Sequence, residues 1–348
     1  MADRAQAIAK GLDAAYEAAA VLDVDLDEAR LVVFSDHHRG ARDAADDFRR
    51  CERAYGAALG HYLEAGFTLL ALGDVEELWE CTPEEALAAY PDVLGLEGEF
   101  HAAGRMHRFF GNHDDHWRDA RQVAKHLHPH FPGLEVHEAL RLRLLRYGEE
   151  AGEIVLAHGH QGTVDSGPFA WLSRLVLRYI WRPLQRRVGF GSVTPAADWE
   201  LRREHDAAMF AWAREHPAKP ILITGHTHRP VFASSRPPVP RRRAEGEVAD
   251  DLEEARRLGQ ASAIPELRAE LELIRAEARR GDPPPLPVQP PCYFNTGACS
   301  FADGDVTGLE IVGGRIRLVR WLDDADDPRP KLLVEDPIDD ILAQVRAG

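Results

Sequence analysis

Five short apolar runs, each followed at once by a polar cluster, constrain the fold of this 348-residue chain more than any other feature. The runs are rich in Val, Ile, Leu and Phe, and longer helical stretches separate them, which is typical of an α/β protein with buried strands. They are LVVF (31–34), FTLLAL (67–72), MHRFF (106–110), EIVLA (153–157) and PILIT (220–224), and the clusters that follow are SDHH, GD, GNHDD, HGH and GHTH. Because ligands gather at the carboxyl ends of strands in open α/β sheets, these five ends predict one shared site.

The composition limits the class of partner. With 42 basic and 58 acidic residues the net charge is -16, so the protein as a whole would repel nucleic acid and anionic membranes, and no nucleic-acid partner is expected. An anionic substrate must then be attracted locally, by a metal ion or an arginine cluster. Four cysteines without metal-type spacing, and an N-terminal stretch without the apolar core of a signal peptide, favour a cytoplasmic protein.

The strand ends offer oxygen and nitrogen donors and no sulfur. The seven donors are Asp36, His38, Asp74, Asn112, His158, His226 and His228. If one carboxylate bridges, these groups supply four bonds to each of two metal ions. Imidazole mixed with carboxylate favours Mn, Fe, Zn, Co or Ni over Mg or Ca, and the residue types leave the choice among the five open.

The spacing of the donors carries further information. Asp36 and His38 lie two residues apart, so an extended segment would project both to one side and turn His37 away. His226 and His228 repeat this spacing, although a turn could instead send them to neighbouring metal ions. The glycines beside these donors would let the chain turn tightly and approach the ions closely.

The ordered series SDHH, GD, GNHD, HGH and GHTH resembles the calcineurin-like metallophosphoesterases over about residues 30–320, apart from two insertions. The resemblance implies an α/β fold, a two-sheet αββα metallophosphoesterase sandwich with helical insertions, formed as a single domain over 1–348. It implies two divalent metal ions, with Mn as the leading candidate. Under the resemblance, the first ion is held by Asp36, His38, Asp74 and His228, and the second by Asp74, Asn112, His158 and His226.

The resemblance also implies a reaction. A hydroxide that bridges the metal ions would attack the phosphorus of a phosphoester or pyrophosphate, and His113, in GNHD, would act as general acid with Asp114 placed to orient it. Candidate substrate contacts are Arg39, His160 and Arg229. The substrate would be a small-molecule or lipid-linked phosphorylated compound. A scaffold that has lost its chemistry is the alternative, and retention of the whole donor set counts against it.

A lid-like helical insertion is expected over about 163–215, with an arginine- and tryptophan-rich helix at 168–187. Its apolar face could pack on the domain with the arginines in solvent, or it could be a lid that meets an anionic substrate or contacts the inner face of the membrane peripherally. Together with GHTHRP it resembles bacterial UDP-diacylglucosamine hydrolases, which cleave a lipid-precursor pyrophosphate. That family carries arginine where this chain has His113.

Three further segments have open roles. A helical insertion flanked by prolines, at about 236–291, has an apolar stripe suited to homo-oligomer formation or partner docking. The runs TGLEIV (307–312) and RIRLVRW (315–321), joined by two glycines, predict a hairpin in a second sheet that completes the fold. Glu77 and Trp79 either support the bridging aspartate and line the pocket or serve as a helix cap and a core aromatic.

Overall fold

The computed structural model describes residues 2–44, 46–162, 195–233, 289–301, 303–323 and 327–348, with a few isolated residues between 249 and 257. The chain divides into two compact units, one of residues 1–235 and 288–348 and one of residues 236–287. Residues 168–187, predicted as a helix, and nearly all of the insertion predicted at 236–291 lie outside the described residues. Among the described helices, none is long and apolar enough to cross a membrane.

The first unit is mixed α/β, which confirms the predicted class. Its helices are α1 (Ala2–Ala18), α2 (Phe48–Glu64), α3 (Pro83–Ala89), α4 (Pro91–Ala102), α5 (Ala120–Gln122), α6 (Pro195–Glu215) and α7 (Ile338–Ala347), with a 3-10 turn at Asp115–Arg118 and a π-helical turn at Val123–Leu127. Its strands are β1 (Ala20–Asp25), β2 (Arg30–Phe34), β3 (Thr68–Leu72), β4 (Met106–Phe109), β5 (Val136–His137), β6 (Ala139–Arg146), β7 (Glu149–Ala157), β8 (Ile221–Thr224), β9 (Val231–Phe232), β10 (Tyr293–Asn295), β11 (Val306–Val312), β12 (Arg315–Leu322) and β13 (Arg329–Pro337).

The strands form two mixed sheets. One has the order β1-β6-β7-β8-β10-β9 and the other β13-β12-β11-β2-β3-β4-β5. Strands β2, β3 and β4 are parallel neighbours in the second sheet, and β7 and β8 are parallel neighbours in the first. The five polar clusters of the sequence therefore follow the carboxyl ends of parallel strands, three in one sheet and two in the other.

Strand β2 is buried on both faces. Leu31 and Val33 belong to a core cluster that joins the two sheets with α1, α6 and α7, whereas Val32 and Phe34 belong to a second cluster beneath α2 and α4. In a strand with no solvent-facing side, apolar and polar residues need not alternate, which explains the continuous apolar run LVVF.

The predicted hairpin is confirmed, but it does not form a sheet separate from the strands that carry the motifs. Strands β11 and β12 pair antiparallel across Gly313 and Gly314, which both have positive φ. Strand β11 also pairs antiparallel with β2, with Leu309 opposite Val33, so the hairpin extends the sheet that carries Asp36. The pairing satisfies the backbone groups along the second edge of β2, which would otherwise be buried without partners.

We expect Gly308→Ala to lower the free energy of unfolding by about 2 kcal/mol, because a Cβ there would lie 2.6 Å from Phe34 Cε1 and 2.8 Å from the Val33 carbonyl oxygen. Urea unfolding at constant slope measures the loss. The control is Gly95→Ala in α4, where a Cβ meets nothing within 4 Å and should stabilise by about 0.5–1 kcal/mol. Equal stability of the two variants would contradict this account of the β2–β11 packing.

Candidate metal centre

The segments that follow β2 and β3 run side by side. The backbone N–H of Asp36 donates to the Gly73 carbonyl (3.1 Å), and that of His38 donates to the Asp74 carbonyl (3.0 Å). These bonds continue the pairing of the two strands past their ends. They place the two carboxylates of the sequence motifs beside each other in the core, where Asp36 is fully buried and Asp74 is 1% exposed.

The predicted extended geometry of the DHH segment is wrong. Asp36 and His38 adopt left-handed backbone conformations, with φ of 54° and 52°. The described chain holds eight non-glycine residues with positive φ, and five of them are predicted ligands, namely Asp36, His38, Asp74, His226 and His228. Each such conformation costs about 1–3 kcal/mol and persists only where its surroundings over-determine it, which is a property of functional sites.

The donor atoms assemble into two adjacent groups. Within each group they lie within 4.8 Å of one another, the groups being Asp36 with His38 and His228, and Asp74 with His158 and His226. His228 Nε2 lies 3.2 Å from Asp36 Oδ1, and His158 Nε2 lies 3.1 Å from Asp74 Oδ2. His38 Nε2 lies 3.9 Å from a carboxylate oxygen of each aspartate, so the groups are contiguous. The grouping is compatible with the division between two ions that the resemblance implies, in which Asp74 would serve both ions and Asn112 would join the second.

Glycines allow this close assembly at two of the motifs. A Cβ on Gly111 would collide with the Asp74 carboxylate, and one on Gly225 would collide with Asp36 and with the hydroxyl of Ser35. No other residue type fits at either position without moving a ligand.

A buried oxygen without a partner points to a cation. Asn112 is 3% exposed, and its side-chain Oδ1 has no hydrogen-bond partner among the described residues. Leaving a buried carbonyl oxygen unpaired costs about 1–3 kcal/mol, and a metal ion would satisfy it. His158 Nδ1 lies 2.8 Å from the Leu72 carbonyl, to which it can only donate, so Nε2 carries the lone pair for a ligand in the neutral ring. The donor set therefore fits a divalent cation.

The charges in the centre also fit a bound cation. Burial opposes ionisation, but His228 and His158 hold the pKa of Asp36 well below its usual value, and His158 and His113 do the same for the pKa of Asp74. Burial also lowers the pKa of His158, yet the carboxylates of Asp74 and Asp36 outweigh it and raise that pKa to about 9. Two buried carboxylates thus draw protons onto a ligand histidine, and a metal ion would replace those protons.

His113 is oriented by Glu77. Its Nδ1 lies 2.7 Å from Glu77 Oε2, and the same oxygen lies 2.9 Å from His38 Nδ1. The indole ring of Trp79 stacks on the imidazole with ring centroids 4.0 Å apart. Burial lowers the pKa of His113, but Glu77 and Asp74 outweigh it, so the net shift is upward. With its side chain 24% exposed, His113 can reach a bound molecule.

Asp114 has another role, so its predicted role of orienting His113 is wrong. Asp114 is fully buried, and its oxygens accept backbone N–H groups from Gly111 (2.6 Å), Asp74 (3.2 Å) and Val75 (2.8 Å). It therefore ties the loop after β4 to the loop after β3. The sequence left Glu77 undecided because four residues of chain separate it from the end of β3, and only folding brings it to His113.

The candidate substrate contacts separate into three cases. Arg39 is 1% exposed, and its terminal nitrogens donate to Glu97 Oε2 at 3.2 and 3.1 Å, so its predicted contact with substrate is wrong. Breaking the buried ion pair between Arg39 and Glu97 would cost more free energy than a phosphate contact at the surface would contribute. Arg229 keeps a side chain that is 30% exposed and pairs with Asp206 at 3.2 Å. His160 is 1% exposed, and burial lowers its pKa to about 3, which makes it a neutral neighbour of His158.

Helix α6 supplies contacts that no sequence motif indicates. His205 Nε2 donates to the Gly159 carbonyl (2.6 Å), and its ring lies 4.9 Å from that of His226. Asp206 is fully buried beside the GHTHR segment. Both residues lie in the stretch predicted as a lid, where a lone histidine and aspartate in a charged helix carry no signal.

A surface cavity elsewhere in the described chain does not involve this centre. It encloses about 400 Å³ and is lined by residues that include Arg141, Arg143, Glu153, Lys219 and Arg346. Arg141 pairs with Glu153 at 2.5 Å and Arg143 with Asp23 at 2.7 Å, so most of the charge there is already balanced. This surface is a salt-bridged sheet face.

Comparison with family models finds no match to the chain, and comparison with curated proteins finds no significant match. The chemistry of the centre is therefore inferred from its residues and their geometry.

Glu77→Gln should lower the pKa of His113, because it removes the charge that opposes the effect of burial. A raised folded-state pKa means that imidazolium contributes stability below pH of about 6.5, and that this contribution is lost as pH rises through the folded pKa. In the variant the loss should be smaller and should be complete at a lower pH. Histidine NMR titration of the metal-free protein measures the pKa.

The matched control is Glu84→Gln, which removes a carboxylate 3.4 Å from His126 and should leave the His113 titration unchanged. An unaltered pKa of His113 in Glu77→Gln would mean that Glu77 is not its electrostatic partner.

Proposed function

We propose that this chain is a dinuclear metal-dependent hydrolase of phosphoester or pyrophosphate bonds, with the αββα fold of the calcineurin-like metallophosphoesterases. The observation that carries the proposal is the pair of contiguous Asp/His groups at the carboxyl ends of parallel strands, with the unpaired Asn112 oxygen beside them. The two mixed sheets and the helices packed against them support the proposed fold.

The residues present fit two cations. The proposed ligands are Asp36, His38 and His228 for the first, Asn112, His158 and His226 for the second, and Asp74 for both. Divalent ions bound there would supply positive charge to phosphate oxygens and lower the pKa of water enough to provide hydroxide near neutral pH. Mixed imidazole and carboxylate ligands suit Mn, Fe, Zn, Co and Ni, and Mn is the leading candidate under the resemblance.

His113 is the proposed proton donor. Glu77 accepts the Nδ1–H, so the imidazolium keeps its Nε2–H for the oxygen of the leaving group. Trp79 holds the plane of the ring, and the backbone N–H of His113 donates to Asp74 Oδ1 at 2.8 Å. The donor is therefore attached to the proposed bridging carboxylate through its own backbone and to a proposed ligand, His38, through Glu77.

The substrate is proposed at the level of chemical class. Arg229 follows His228 in the sequence and, with a side chain that is 30% exposed, is the most accessible of the three candidate substrate contacts. The net charge of -16 disfavours a polyanionic nucleic acid. The lipid-precursor alternative depends on segment 168–187, which lies outside the described residues.

The metal-loaded protein should hydrolyse bis-p-nitrophenyl phosphate or p-nitrophenyl phosphate with Mn²⁺, and elemental analysis should find bound metal. Asp74→Asn should lose both, because it removes the charge of the carboxylate proposed to bind both ions. Asp92→Asn, the same change at an exposed position of α4, should lose neither. Absence of turnover together with absence of bound metal in the unaltered protein would refute the proposal.

His113→Ala should retain its metal and lose activity in proportion to the need for a proton. For alkyl esters, whose leaving groups are poor, we expect a loss of about 10²–10⁴-fold, and for nitrophenyl esters a much smaller loss. His116→Ala, a nearby histidine that contacts Gln122, is the matched control and should change neither rate. Equal losses for the two leaving groups would contradict a role as general acid.

A further inference from the structure

Helix α6 contacts the ligand loop (225–229) through one carboxylate. Asp206 Oδ1 accepts the hydroxyl of Thr227 (3.0 Å) and the hydroxyl of Tyr293 (2.7 Å). Asp206 Oδ2 lies 3.2 Å from Arg229 NH2. A single fully buried side chain therefore meets two residues of the ligand loop and one residue of strand β10.

A second side chain, that of Asn295, also donates hydrogen bonds to the ligand loop. Asn295 Nδ2 donates to the Gly225 carbonyl (2.6 Å) and to Thr227 Oγ1 (3.1 Å). Asn295 and Tyr293 both belong to β10, which pairs in parallel with β8, the strand that leads into the loop. The polar groups that surround the loop are thus anchored in the sheet on one side and in α6 on the other.

Of the residues held in this way, Thr227 lies between two proposed ligands. Thr227 separates His226 and His228, whose φ angles are 69° and 55°. A β-branched residue between two left-handed residues has little freedom of its own, so anchoring its hydroxyl limits the rotation of both neighbours. The backbone N–H of His226 also donates to Asp36 Oδ2 (2.9 Å).

The same helix reaches the other histidine-bearing loop. His205, next to Asp206, donates to the carbonyl of Gly159, the residue after His158. Met209 and Trp212 of α6 are buried in the core cluster that joins the sheets, so the helix is a fixed support. The loops after β7 and β8 are therefore both held by hydrogen bonds to helix α6.

We propose that Asp206 is a positioning residue that preorganises His226 and His228 for metal binding and holds Arg229 beside them. The proposal rests on the proposed metal centre and goes beyond it, because it assigns the insertion helix a role in forming the site. Partners that orient metal ligands change metal affinity by about 10–100-fold when they are removed.

The test measures Mn²⁺ affinity by the EPR signal of the free ion, with no substrate present. Asp206→Ala removes all three contacts and should weaken Mn²⁺ binding by about 10–100-fold. Asp206→Asn keeps an oxygen that accepts from Thr227 and Tyr293, and it should restore most of the affinity for Mn²⁺.

The control is Asp13→Ala, which removes a different hydrogen bond to α6, from Trp212 Nε1 at 2.7 Å. It should lower the temperature of unfolding without weakening Mn²⁺ binding more than about twofold. Circular dichroism of each variant verifies folding before titration, and Asp206→Asn serves where Asp206→Ala does not fold.

The outcomes separate this proposal from the one on which it rests. If the unaltered protein binds no Mn²⁺, both are overturned. If it binds Mn²⁺ but Asp206→Ala binds equally tightly, or Asp13→Ala is weakened as much, only the positioning role is overturned. The same holds if Asp206→Asn binds Mn²⁺ no better than Asp206→Ala, because the affinity then does not depend on the accepting oxygen.

Discussion

The rest of the structure depends on the burial of two carboxylates, Asp36 and Asp74, in the interior next to three histidines. An ionised carboxylate without a counter-charge is among the most costly groups to bury, so its surroundings must supply positive charge and hydrogen-bond donors. In the metal-free protein, histidines and backbone N–H groups supply them. A bound divalent cation would supply positive charge more completely, and the Asp/His groups could hold one.

Three further carboxylates keep this centre in place, and each has a different task. Asp114 accepts backbone N–H groups and joins the loops after β3 and β4. Glu77 contacts both His38 and His113, so it couples a proposed ligand to the proposed proton donor. Asp206 holds the ligand loop from α6. The strained backbone of the ligands is tolerated because fully buried or nearly buried partners such as these leave no relaxed alternative.

Several sequence predictions hold, and those that fail share a cause. The apolar runs became strands because their length and β-branched content leave few alternatives, and the paired glycines made the hairpin between β11 and β12. The direction of Asp36 and His38 was predicted from extended geometry, but both residues are left-handed. The roles of Asp114 and Arg39 were carried over with the motifs in which they stand, whereas their partners come from other loops and from α4. Local spacing does not report such long-range contacts.

The sequence by itself determined which residues could form a metal centre and that they would follow strand ends, because apolar runs and donor types are local properties. Only the tertiary structure decided that Glu77 orients His113, that Arg39 is withdrawn into an ion pair, and that Asp206 supports the ligand loop. The reason is physical: a buried charge takes whichever partner packing brings within hydrogen-bond distance, and that choice depends on how sheets and helices meet.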